Sequence, residues 1–460
     1  MKWSKVTAVS LAAVMAASMA TVGGSTVVFA DGDLNYADIK LGEDYTDLSA
    51  DLKLLTNRTD MLDADYTGKN WDAYLKEFNE MYPNINVEIE GITDYAQDSL
   101  LRLQGGDWGD IMMIPEVDKA DLSTYFLSYG DVDSVSEQVK YPNRWLYDGQ
   151  VYGIPVTVVG RGVLYNKKVF ADAGITETPK TPEDFIKDLQ AIKDNTDAIP
   201  LYTNYAAGWT MGAWDDYIGV AATGDAKYRN QEFPHAKDPF ADKGDGTGAY
   251  NVYKILYDAV ANGLTEDDYT TTDWESSKGM LNNGQIGTMV LGSWAYPQMQ
   301  GAGDNADDIG YFAFPITVDG KQYSPADEDY CFGINAEDDA EKQEAAMVFV
   351  KWMTEKSQYS YNEGGLPIAV GDEQYPSVYD EFTANNVEFI SNEPALEGEE
   401  DLLNELNADS ELMVGAGGNE KIQGIVEHAA NGDEEFDDIM TEWNEAWSDA
   451  QDTDGVEVNE

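Results

Sequence analysis

One cysteine, two histidines and 28 lysines and arginines are all that this 460-residue chain carries of the residues most used for redox, metal and phosphate chemistry. Cys331 alone cannot close an internal disulfide, so the fold has to be held by burial. His235 and His428 leave too few ligands for a zinc site and too few bases for a Ser-His or Cys-His pair. No H-E-x-x-H or CxxC occurs, and the strings Gly105-Gly106 and Gly301-Ala302-Gly303 lack the spacing and the lysine of a phosphate loop. Asp242, Asp245 and Gly246 hint at a calcium loop but miss the ligand spacing, and read as an acidic surface turn. The residues therefore argue against histidine-based catalysis and show no metal ligand set and no phosphate-loop cofactor site.

Acid is what the chain has in excess. Against those few bases stand 87 Asp and Glu, for a formal net charge of −59. Such a surface repels nucleic acid and anionic lipid. A content of 43% hydrophobic and 12% aromatic residues is too apolar for a disordered acidic tail, so the charge coats a soluble folded protein. The length implies more than one domain, with ample core. At the start, Lys2 and Lys5 precede an apolar run over Val6 to Val22, and Val28-Phe29-Ala30 places small residues at the −3 and −1 positions of a cleavage site. Residues 1–30 are expected to be an export signal cleaved near Ala30. No cysteine lies there to carry a lipid anchor, and residues 31–50 read as an acidic linker.

Beyond residue 50 strand and helix alternate. Leu52 to Leu55 is an apolar run. Trp71, Tyr74, Leu75, Phe78 and Tyr82 recur at helical spacing, Pro83 stops them, and Ile85, Val87 and Ile89 alternate as a strand. A second helix through Ala96, Leu100 and Leu103 ends at Gly105-Gly106 before the buried-strand pattern Ile111 to Ile114. Thr181-Pro182-Glu183-Asp184 opens a helix through Phe185, Leu189 and Ile192, and a strand follows at Ile199 to Tyr202. This is an α/β chain with a mostly parallel sheet. Residues 206–248 show no clean period and read as long loops. Ala345, Ala346, Phe349, Val350 and Met353 mark a long late helix, to whose packing face Trp352 is assigned; Trp443 and Trp447 are assigned to helix packing too.

Aromatics beside acids in loops are the informative feature. Trp209, Trp214-Asp215, Trp294 and Tyr296 stand near Gly or Asp outside helical periods. A flat ring covers the apolar C–H face of a pyranose while carboxylates and guanidinium groups take its hydroxyls, each stacked ring being worth about 1 kcal/mol.

Four stretches together resemble the extracellular solute-binding proteins of sugar-type ABC importers, the maltose-binding-like group. They are Phe78-Asn79-Glu80-Met81-Tyr82-Pro83 with Ile85 to Glu88; Gly105-Gly106-Asp107-Trp108-Gly109-Asp110-Ile111-Met112, where Gly109 stands at the family's usual proline; Tyr152-Gly153-Ile154-Pro155 through Leu164-Tyr165-Asn166-Lys167, Ala173-Gly174-Ile175 and Thr181-Pro182; and Gly284 to Trp294, Phe332-Gly333-Ile334-Asn335 and Gly365-Leu366-Pro367. The resemblance implies a two-lobed, periplasmic-binding-protein-like fold of type II, its ligand cleft between lobes joined by hinge crossings. The expected lobes are 51–160 with 327–360, and 161–326 with 361–460. Carried over by position, Asn57, Arg58, Glu116 and Arg161 would offer polar contacts, Trp209 and Trp294 stacking surfaces with Tyr296 close behind, and Asp327, Glu328 and Asp329 the hinge side of the cleft. Trp214 and Asp215 rest on the aromatic argument. The implied function is extracellular capture of an oligosaccharide by a monomer that closes around it and delivers it to ABC permease subunits, without catalysis or cofactor. Two rivals stay open: a secreted glycoside hydrolase using paired carboxylates, and a surface polysaccharide adhesin.

Overall fold

The computed structural model describes residues 34–66, 68–415 and 419–459. The expected export signal lies outside the described residues. The first sheet orders its strands β2-β1-β3-β13-β7: β1 (Ala50–Thr56), β2 (Ile85–Gly91), β3 (Ile111–Met113), β7 (Ile154–Pro155) and β13 (Cys331–Ile334). The second runs β14-β12-β8-β10-β9: β8 (Val158–Asn166), β9 (Ile199–Leu201), β10 (Ile286–Gly292), β12 (Tyr323–Glu328) and β14 (Glu388–Ile390), with β11 (Ile309–Ala313) also on β8. A small antiparallel sheet joins β4 (Gly130–Asp131), β5 (Leu146–Tyr147) and β6 (Gln150–Val151).

Local chemistry accounts for the first units. Asn70 caps the helix Trp71–Met81, its Oδ1 accepting the Ala73 N–H at 3.0 Å, and Trp71, Tyr74 and Phe78 form the buried face. Trp71 stacks on Tyr359 at 5.4 Å between ring centres, and Phe78 meets Trp352 edge-on at 5.4 Å. The chain then returns as β2, parallel to β1. The helix Tyr95–Gly105 stops at Gly106, which takes φ +71°. Gly109 sits at φ +92°, with room for no Cβ because Lys53 O would lie 2.9 Å from it, so proline, locked near −65°, cannot occupy this turn.

Three expectations are corrected. The sheets are mixed, not mostly parallel: β1 pairs parallel with β2 and β3, but β8 runs antiparallel to β10, β11 and β12. The reason is connection length. Only Val156 and Thr157 carry the chain from β7 in the first sheet to β8 in the second, so β8 enters that sheet straight from the crossing, with no crossover helix to turn it parallel to β10. The described part of the acidic segment is no loose linker, since Tyr36 is fully buried in the first core and its carbonyl accepts from Lys351 Nζ at 3.0 Å. Residues 206–248 are not open loops either. They fold as short helical turns whose Phe233 packs on Trp447 at 4.9 Å and Phe240 on Trp443 at 5.4 Å, so long-range aromatic packing replaces periodicity.

Two short crossings join the sheets side by side. Asp329 and Tyr330 link β12 to β13, and the crossings hydrogen-bond to each other, Val156 N to Tyr330 O at 2.8 Å and Asp329 N to Thr157 O at 2.9 Å. A third segment touches both ends: Leu366 N donates to Val158 O, and Lys140 N to Ile368 O, at 2.6 and 2.9 Å.

Candidate functional site

Ligands of open α/β sheets sit beyond the carboxyl ends of parallel strands, and here those ends carry the polar and aromatic side chains. After β1 come Asn57 and Arg58. The Arg58 guanidinium forks onto Asp60 at 2.9 and 2.8 Å and reaches Glu363 at 2.7 Å and the Tyr66 hydroxyl at 2.8 Å. Burial pushes the Asp60 carboxyl up, but its bonds to Arg58, with Lys278 nearby, hold it below the usual range. Beyond β3, exposed Glu116 binds Arg144 at 2.5 Å, and Arg144 also donates to the carbonyls of Glu328 and, at 2.9 Å, Asp329.

The second sheet contributes Arg161 from β8. Its Nη1 lies 3.1 Å from Asp216 and its Nε 3.4 Å from Asp327, whose other oxygen accepts from Asn392 at 3.1 Å. Burial pulls the guanidinium pKa down, and Asp216, Asp327 and Asp329 more than offset it. Burial raises Asp329 despite the opposing pull of Arg161, Arg144 and Arg58, so one hinge carboxylate feels all three arginines.

Beside this cluster stand three indoles. Trp209 follows β9, Trp294 follows β10, and Trp274 opens the helix Trp274–Asn282 behind its capping Asp273. Ring centres are separated by 5.2 Å (Trp209–Trp274), 5.6 Å (Trp209–Trp294) and 5.7 Å (Trp274–Trp294), and Trp209 keeps 43% of its surface exposed. Gly292 couples the indoles to the charges: a Cβ there would meet Trp294 Nε1 at 2.7 Å and Arg161 Nη1 at 3.1 Å.

Of the residues expected at the site, Arg58, Glu116, Arg161, Trp209, Trp294, Asp327 and Asp329 gather around the strand ends and crossings, and Asn57 follows β1 directly. Glu328 sits at the same crossing but is buried, with Oε1 unpartnered and its pKa raised to about 7 by burial, Asp327 adding to the rise. Trp214 and Asp215 are corrected. The Trp214 ring is 2% exposed against Phe314, and Asp215 is saturated inside the second core by the Tyr253 hydroxyl at 2.7 Å, Gly415 N at 2.8 Å and the Lys421 ammonium. Tyr296 also turns inward, joining the core with its hydroxyl accepting from Gln300 at 3.2 Å. Sequence reading missed Trp274, Asp216, Glu363 and Asn392. Only Trp274 left a signal, an aromatic directly after a capping Asp, where a helix start faces outward. Among the described residues no group of three or more His, Cys, Asp or Glu could hold a metal ion. In the suspected calcium turn, Asp242 and Asp245 accept the backbone N–H of Gly244 and Thr247.

Two mixed sheets joined by paired crossings, with rings and charges gathered where the strands end, make the architecture of a two-lobed, type II solute-binding protein. Residues 64–359 match the family model of the bacterial extracellular solute-binding proteins, and the chain belongs to that family. A solved manno-oligosaccharide-specific solute-binding protein from Bifidobacterium animalis subsp. lactis, in complex with mannotriose, is 55% identical with a TM-score of 0.88, over 91% of this chain and 98% of that one. An ABC-transporter binding protein of the same organism, in complex with mannobiose, is 53% identical with a TM-score of 0.88, over 91% and 98%. The multiple sugar-binding protein of Streptococcus mutans is 26% identical over 66% of this chain and 73% of its own. These relatives are binding proteins.

Proposed function

We propose that this protein captures an oligosaccharide of the mannose type outside the membrane, closes around it by hinge motion, and hands it unchanged to the permease of an ABC importer. The observation that carries this reading is the Trp209, Trp274 and Trp294 group set against the Arg161 fork, rings for the C–H faces and charged groups for the hydroxyls. Its support from relatives is the pair of homologues above 50% identity that hold mannotriose and mannobiose. The lobes are assigned as 34–156 with 330–372, and 158–328 with 376–459, which puts the crossings at residues 156–157 and 329–330. Closure rotates one lobe against the other there, and contacts made only in the closed form shift the population toward it. Asn57, Arg58, Glu116, Arg161, Asp327 and Asp329 are assigned polar roles in that cleft. Export as a monomer, with the leader removed near Ala30, completes the reading; among the described residues no helix is long and apolar enough to cross a membrane.

The test is a thermal melt with mannotriose, followed by analysis of the recovered sugar. At a hundredfold excess over Kd, binding to the native state adds about 2.7 kcal/mol, a rise of about 5 °C for a chain this size. The sugar should return intact. New reducing ends would favour the hydrolase, and a melting point unmoved by mannose oligomers would remove the carbohydrate assignment.

A further inference from the structure

Buried acceptors without a hydrogen-bond partner collect along one edge of the cleft: Glu328 Oε1 at the crossing, and Asn392 Oδ1 and Asp401 Oδ1 on residues 391–401. That segment is fastened along its length. Asn392 donates to Asp327 at 3.1 Å, Glu393 N to Ala226 O at 2.8 Å, Gln231 to the Pro394 carbonyl at 2.8 Å, and His235 meets Glu399 at 2.9 Å. It ends at Asp401, directly before the helix Leu402–Ser410, where an aspartate ordinarily caps the first turn; this carboxylate makes no capping bond. Its charged neighbours are Asp118 and Lys119, at the turn Lys119–Asp121 beyond β3, and Glu400. Lys119 is the complement. The half-buried ammonium stands among Asp401, Glu328, Glu400 and Arg144, yet among the described residues it makes no ion pair or hydrogen bond. A donor and several acceptors thus stand near each other, unsatisfied, on the two assigned lobes, which costs stability unless a further group joins them.

We propose that Lys119 and Asp401 form a subsite for a sugar hydroxyl, bridging the lobes, that holds the end of the oligosaccharide remote from the tryptophans. The proposal rests on the carbohydrate reading above. A hydroxyl suits both sides, accepting from the ammonium and donating to the carboxylate without displacing an existing ion pair. The subsite is separate from the aromatic one. Trp274 stands beside Lys278, which is near Asp60 and its partner Arg58, and none of these three charges is among those around Lys119. Asp329, which feels Arg58 as well as Arg144, links the two groups. A short sugar resting on the rings leaves Lys119 and Asp401 unmet, and a longer one reaches them.

Calorimetric titration of the parent, Lys119→Met, Asp401→Asn and the double variant with β-1,4-linked mannose oligomers, from dimer to pentamer, tests this. In the parent, affinity should rise with length until a ring reaches the subsite. In either single variant that last rise should disappear, leaving the longest oligomer about tenfold weaker, as for one charge-assisted hydrogen bond, and mannobiose within about twofold of the parent. The double variant should lose little more than either single one, because both side chains hold one hydroxyl. An equal loss at every length would overturn the proposal, since a direct Lys119–Asp401 ion pair formed on closure acts on all ligands alike. No loss at any length would overturn it too, leaving the carbohydrate reading intact. Losses that multiply in the double variant would overturn the bridge, and failure of every oligomer to bind the parent would overturn both readings together.

Discussion

Trp209 meets Trp274 and Trp294 on one side and water on the other, so its ring can be removed with little effect on the folded state. In Trp209→Ala the ligand-free stability should stay within about 0.5 kcal/mol of the parent, while mannotriose binding weakens by about 1 kcal/mol, close to fivefold in Kd. A melting curve and a titration of the same sample check both halves. An unaltered Kd would place the sugar elsewhere. Trp214 is the instructive contrast. In sequence it too is a tryptophan next to an aspartate in an aperiodic stretch, yet its aspartate faces Lys421, 206 positions further along the chain, and not a ligand. Tryptophan beside acid reads the same whether the acid waits for a sugar or for a distant lysine, because only tertiary pairing distinguishes them. Arg161, Trp209, Trp294 and Asp327 could be singled out because family-like strings flank them. Asp216 and Asn392 could not, since each gains its meaning from a partner brought close by the fold.

At the level of elements, the segment that packs against the first crossing is a tight fit. A Cβ on Gly365 would lie 2.3 Å from Ser360 Oγ and 2.6 Å from Thr157 Cγ2, inside the first crossing. Gly365→Ala should therefore cost about 1–3 kcal/mol through overpacking, seen as a lower urea midpoint. Gly105, at the end of its helix with nothing within 4 Å of a Cβ, is the matched control, and Gly105→Ala should raise stability by about 0.5–1 kcal/mol. Equal midpoints for the two variants would mean that the crossing yields freely. The helices Trp71–Met81, Tyr95–Gly105 and Pro182–Asn195 were legible because apolar spacing agrees within one stretch of chain with a local end signal, a capping Asn70 and a following Pro83 for the first, Gly106 for the second and a capping Thr181 for the third. The direction of β8 was not legible. It is set by a two-residue connection and by strands that arrive more than a hundred residues later.

The whole molecule is built with far more carboxylates than bases, and it uses tyrosines as the missing donors: Tyr253 to Asp215 at 2.7 Å, Tyr250 to Asp437 and Tyr165 to Glu381 at 2.5 Å. Other acids are left short of partners. Burial lifts Glu328 and Asp338 to about 7 and Asp188 to about 6, with neighbouring Asp327, Asp110 and Asp184 respectively adding to the rise. A carboxyl whose pKa is raised on folding makes the native state hold more protons than the unfolded chain between the two values, so stability falls as pH rises through that window. Below the unfolded value, near 4.5 for Glu328, the effect vanishes; above about 7 it is complete. For Glu328, buried at the crossing, the whole effect amounts to about 3 kcal/mol. Urea melts should therefore show the parent protein losing stability between pH 5 and pH 8, with added salt restoring part of the loss by screening surface repulsion. Glu328→Gln keeps the shape of the side chain and removes its proton equilibrium, so its stability should fall less steeply over the same range and exceed the parent's at pH 8. Parallel curves for the two proteins would show that this carboxyl is solvated, and that the acid preference comes from the surface charge alone.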